Sequence, residues 1–93
     1  MIVPMCVELT PDINYPKVQV RLECQSEYPF ERLFRMFFLI ENVVTEMYGI
    51  FSPEGFDDKP SRKQSIRFTV KFQSMEMSER FCTRLEYYNG KCF

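Results

Sequence analysis

The sequence predicts an α+β fold, a small two-layer sandwich of ferredoxin-like or ββαβα type, with two helices packed on one face of a three- to four-stranded sheet. Three observations carry this. Two segments alternate apolar and polar residues with period two, as a strand with one buried and one wet face does. Each is followed by a segment whose apolar residues recur at spacings of three and four, the mark of an amphipathic helix. The chain has 93 residues, which makes one domain, 1–93, without room for a second core.

In chain order, residues 1–9 predict a first strand, with Val3, Met5, Val7 and Leu9 on one side. Pro4 cannot donate to a ladder, so this strand is expected at an edge of the sheet. Pro11, Asp12, Asn14 and Pro16 form the connection. In the second strand Val18, Val20, Leu22 and Cys24 alternate with Lys17, Gln19, Arg21, Glu23 and Gln25. The first helix starts near Pro29 and runs to about Tyr48, where Gly49 ends it. Its inward stripe is Phe30, Leu33, Phe34, Phe37, Ile40, Val44 and Met47.

Ile50-Phe51 predicts a short strand, stopped by Ser52-Pro53-Glu54-Gly55, which suits a tight turn. The polar stretch that follows, through Lys63, is expected to be a long irregular loop and the most mobile part of the chain. Ile66, Phe68, Val70 and Phe72 alternate with Arg67, Thr69, Lys71 and Gln73 in the next strand. The second helix begins after Ser74, an N-cap residue, with Glu76 in its first turn and Asn89-Gly90 as its stop. Its inward stripe is Met77, Phe81, Leu85 and Tyr88, with Cys82 beside it. A weak internal repeat lies at an offset of 48 residues: Gln25-Ser26 falls on Gln73-Ser74, and Glu31-Arg32 on Glu79-Arg80. The predicted architecture does not depend on it.

Composition narrows the function. Twelve basic against thirteen acidic residues give a formal net charge of −1, which excludes both a strongly basic polyanion binder and an acidic mimic of nucleic acid. Histidine is absent, and with it the usual general base and the commonest metal ligand. The cysteines, Cys6, Cys24, Cys82 and Cys92, form no Cys-x-x-Cys, so no zinc set stands at ligand spacing. The expectation is four free thiols, with Cys24 and Cys82 as small core residues, although a disulfide from Cys6 to another thiol stays open. Three scattered glycines build no phosphate loop. Asp57-Asp58 and Glu76/Glu79 read as solvated acids. We therefore expect no enzyme, metal or cofactor.

The longest apolar run is Met36–Ile40, five residues against the ~20 that cross a bilayer. The N-terminus has no basic region before its apolar stretch and reads as structure. The expectation is a cytoplasmic protein that does not engage membranes.

Two binding surfaces stand out. On the outward stripe of the first helix, Phe38 and Leu39 interrupt the polar series Glu31, Arg32, Arg35, Asn42, Thr45 and Glu46. Large apolar residues rimmed by Arg35 and Asn42 resemble the centre and rim of a protein interface. Cover by the chain's own first strand, or by the loop carrying Phe56, is the plain alternative. The loop residues Phe56, Asp57 and Asp58 are expected as a second contact, and a twofold homodimer through the first helix is the simplest self-association. Tyr87 and Phe93 are further exposed aromatics. The second surface is the wet sheet face, where Arg21, Arg67 and Lys71, extended by Arg62 and Lys63, are the expected nucleic-acid contacts. No aromatic interleaves them, which departs from the usual RNA-binding sheet. The favoured function is a small non-enzymatic protein-binding module: an inhibitor, adaptor or assembly factor occluding a surface on a larger partner, of a size that suits a phage or mobile-element accessory protein. Single-stranded RNA or DNA binding is the alternative.

Overall fold

The computed structural model describes residues 5–25, 30–59 and 63–90. Six elements follow one another: β1 (Cys6–Pro11), β2 (Lys17–Gln25), α1 (Phe30–Glu46), β3 (Ile50–Lys59), β4 (Lys63–Lys71) and α2 (Met75–Arg84). The strands form one antiparallel sheet in the order β1-β2-β4-β3. This is the two-layer α+β sandwich, realised as ββαββα, one strand more than ββαβα.

The alternating segments set the core. Val18, Val20, Leu22 and Cys24 of β2 are buried, as are Ile66, Phe68 and Val70 of β4 and Val7 and Leu9 of β1. The register stacks them on one face: Val7 is opposite Leu22, Val20 opposite Phe68, and Val18 opposite Val70. Leu33, Ile40, Val43, Val44 and Met47 of α1, with Phe81 and Leu85 after it in chain order, close that face from above. β1 occupies an edge, as expected, although residues 1–4 of the anticipated strand lie outside the described residues.

The main departure is the expected loop after Phe51, which is strand. β3 runs ten residues along β4. The Pro-Gly signal is absorbed by an irregularity in register between Pro53 and Gly55, and β3 is an edge strand. Those are the two settings in which a strand tolerates proline, because its missing N–H is not required by a neighbour.

Both helices end differently from expectation. α1 closes through Tyr48 at φ 57°, with the Gly49 N–H donating to Val44 O at 2.8 Å and the Tyr48 N–H to Thr45 O at 3.1 Å. This bond pair is a Schellman cap with tyrosine in the left-handed position that glycine usually takes. Gly49 has another role, since a Cβ there would lie 2.9 Å from the Phe72 ring and 3.0 Å from Val44 and Val70. α2 stops at Arg84, and turns carry the chain on to Gly90 at φ +74°, where glycine avoids the left-handed penalty. Those turns serve β1: the Leu9 N–H donates to Asn89 Oδ1 at 2.9 Å, and the Gly90 N–H to Val7 O at 2.8 Å.

The offset of 48 has a geometric counterpart. It makes Val20 equivalent to Phe68, and these two are cross-strand partners, where an approximate twofold axis between two ββα halves must pass. Burial follows the same offset: Leu33 and Phe81 are both fully buried, Phe34 and Cys82 both half-buried, Arg35 and Thr83 both exposed.

Not all four cysteines are free thiols. Cys6 is disulfide-bonded, Cys24 and Cys82 are free, and Cys92 lies outside the described residues. Pairing depends on tertiary proximity, which cysteine spacing does not report.

Candidate functional site

α1 places the anticipated interface residues on its solvent side. Arg35 and Asn42 are exposed, Phe38 is 54% exposed and Leu39 37%. Successive helical residues turn by about 100°, so Phe38 and Leu39 occupy different flanks, with Arg35 and Asn42 on the ridge between. The Leu39 flank is the one that meets α2, since Glu46 on that side forms an ion pair with Arg84. The Phe38 flank overhangs β3. There Phe38 stacks on Phe34 with ring centroids 6.1 Å apart and meets Phe37 edge-on at 5.6 Å. Phe37 in turn contacts Phe51 at 5.4 Å and Phe68 at 5.5 Å. A continuous aromatic chain thus runs from fully buried Phe68 out to the surface at Phe38.

Phe56, Asp57 and Asp58 belong to β3 rather than to a loop, with their Cα atoms opposite Ile66, Ser65 and Gln64. The expectation of a loop here is corrected because the stretch pairs with β4. The two sheet edges offer little backbone for strand addition. β1 is sealed by Asn89 and Gly90, and β3 is blunted by Pro53 and its register shift, both recognised ways of protecting an edge.

The open sheet face carries Arg21, Arg67 and Lys71, all exposed, together with half-buried Lys17. Lys63 begins β4, opposite Gln25 of β2 and Lys59 of β3, and Arg62 lies outside the described residues. The register adds what periodicity could not: across the central pair of strands, Lys17 is opposite Lys71 and Arg21 opposite Arg67. Arg21 forms an ion pair with Glu23 and lies across from Glu8 on its other side.

No family model, curated protein or solved structure matches this chain. The site is accordingly read from its own chemistry.

Sequence reasoning missed an apolar cluster at one end of the sheet. Ile13 (90% exposed) and Tyr15 lie in the β1–β2 turn, Tyr48 in the α1–β3 connection, Ile50 at the start of β3 and Met75 at the start of α2, all exposed. Turn residues have no period from which exposure can be read. Tyr87 is exposed as expected, and Phe93 lies outside the described residues. Burial pushes the Cys82 thiol up from its ordinary value, and burial followed by the Glu23 charge pushes the Cys24 thiol up. Both shifts disfavour the thiolate, the reactive form. No helix among the described residues is long and apolar enough to cross a membrane.

Proposed function

We propose that this chain is a small non-enzymatic protein-binding module that covers a surface on a larger partner, with the Phe38 flank of α1 as its contact. The observation that carries the reading is Phe38 itself, 54% exposed near the middle of a 17-residue helix and braced by Phe34 and Phe37. A rigid aromatic ring half out of the surface, with Arg35 and Asn42 beside it, has the make-up of an interface anchor and its rim. Forty-eight residues on, the chain has Glu86, exposed, in the turns that follow α2. Inhibitor, adaptor and assembly factor are the roles that suit such a module, and a phage or mobile-element accessory protein is the setting its size suits. A homodimer through α1 is one form the contact can take.

We place the protein in the cytoplasm, where the Cys24 and Cys82 thiols stay reduced. The Cys6 disulfide argues for an oxidising setting, and alkylation of thiols in freshly quenched host cells decides between them. The contact is tested with Phe38→Asp. We expect a folded variant by circular dichroism that no longer retains the partner held by the parent in parallel capture from the host. If Phe38→Asp unfolds, Phe38 belongs to the core. If parent and variant retain the same protein, α1 is not the contact.

A further inference from the structure

We infer that the cations down the centre of the open sheet face, Lys17 and Lys71 as one rung and Arg67 further along, bind single-stranded nucleic acid. This surface lies on the opposite side of the sheet from α1, and the inference is independent of the role proposed for Phe38.

Register points there first. β2 and β4 are the two central strands, and they set lysine against lysine and arginine against arginine at Lys17–Lys71 and Arg21–Arg67. Directly opposed like charges destabilise a sheet, and a phosphate bridging them converts the repulsion into attraction. At about 3.3 Å per residue the two rungs stand roughly 13 Å apart along the strands. Gln19 opposite Thr69 fills the rung between them with hydrogen-bonding groups.

Nearby acids divide the column unequally. Glu8 and Glu23 attend Arg21, which weakens that rung as an anion site. Asp12 Oδ2 lies 3.9 Å from the Lys17 ammonium, and its Oδ1 accepts from the N–H groups of Asn14 and Tyr15. Lys71 forms no ion pair among the described residues. The basic path is therefore anchored at Lys71, with Lys17 across from it in its long ion pair, and runs toward Arg67.

Aromatic and apolar groups at the head of this path point to nucleotides rather than to a bare anion. Tyr15 is 62% exposed, with the Lys17 ammonium 5.7 Å from its ring centroid. A hollow of about 300 Å³ lies between Tyr15, Pro16, Lys17, Lys71 and Phe72. A second, of about 290 Å³, opens on the other side of Lys17 toward Thr10, Gln19 and Thr69. Ile50, exposed, is opposite Lys71. A base stacked on Tyr15 with its phosphate on the Lys17–Lys71 rung is the arrangement that single-strand binders use, an electropositive track beside a stacking platform. Tyr48 adds an independent sign. It ends α1 at the same end of the sheet and is 78% exposed, a second aromatic residue open to solvent beside this path.

The test is fluorescence anisotropy of labelled oligo(dT) and oligo(U) with the full chain across a salt series. We expect binding to both at low ionic strength, with the logarithm of affinity falling linearly against the logarithm of salt. Lys17→Gln with Lys71→Gln should weaken binding on the order of tenfold and reduce the slope by about 0.7, for the one phosphate that the rung no longer neutralises. Tyr15→Ala should weaken binding severalfold with the slope unchanged. Arg32→Gln, exposed on α1, should change neither. No binding by the parent at low salt overturns the inference, as does an equal weakening in Arg32→Gln. Displacement of the oligonucleotide by polyglutamate as readily as by unlabelled oligo(dT) also overturns it, by making an acidic protein the ligand.

Discussion

The two helices hold corresponding places in the two ββα halves, but α1 runs 17 residues and α2 ten, so the correspondence ends at Arg84. Over residues 31–35 of α1 and 79–83 of α2 the sequence of exposed, buried and half-buried positions is the same. Beyond that point the halves diverge: α1 continues as helix through half-exposed Phe38, while the chain after α2 turns back to β1, with Glu86 exposed in those turns. Both halves bury their inner faces, whereas only α1 extends the outer side. Burial on the inner faces is required.

The largest effects should come from those inner faces, and they should be alike in the two halves. Phe81 is fully buried, with its ring 5.0 Å from that of Phe72, and Leu33 is its buried counterpart on α1. Phe81→Ala should cost about 3–5 kcal/mol and Leu33→Ala about 2–5 kcal/mol, read from denaturant midpoints. If Leu33→Ala proved nearly neutral, α1 would not be anchored as α2 is, and the equivalence would fail. Next comes Gly49, where the missing Cβ leaves room for Phe72, Val44 and Val70. Gly49→Ala should cost about 1–3 kcal/mol by overpacking, visible as a lowered melting temperature.

Tyr48 sharpens the comparison from the other side, because its substitution should stabilise. Removing a side chain from the left-handed cap should gain about 1 kcal/mol. Tyr48→Gly is thus expected to melt higher than the parent while binding oligo(dT) less tightly, a pairing that a purely structural residue does not give. A lower melting temperature would mean that the exposed ring makes contacts that outweigh the strain.

How much of this was legible in the sequence follows from what each signal measures. Alternation reports burial, so the faces of β2 and β4 were readable from Val18–Cys24 and Ile66–Phe72. Helical spacing placed Phe38 and Leu39 outside for the same reason. Local signals, by contrast, report chain preference, and tertiary pairing overrides them: Pro53 and Gly55 read as a turn, but ten residues of pairing with β4 made them an irregularity in an edge strand. Gly49 looked like a helix stop and proved to be a packing requirement, with Tyr48 taking the unusual dihedral angle. The opposed rungs Lys17–Lys71 and Arg21–Arg67 depend on register, which is a relation between strands and is written in neither strand alone.

The smallest effect on stability should accompany the largest effect on recognition. Phe38→Glu puts a carboxylate at a half-exposed position of α1. It removes two ring contacts, with Phe34 and Phe37, each between partly exposed groups, so the cost should stay under ~1 kcal/mol. Glu86→Gln on the other half, measured in parallel, should be neutral in both stability and partner retention. If Phe38→Glu costs as much as Leu33→Ala, the aromatic chain from Phe68 to Phe38 is one core unit and the difference between the halves is one of packing. If it is nearly silent in unfolding and abolishes partner retention, Phe38 is maintained by what it touches outside the molecule, and the extra length of α1 over α2 is what presents it.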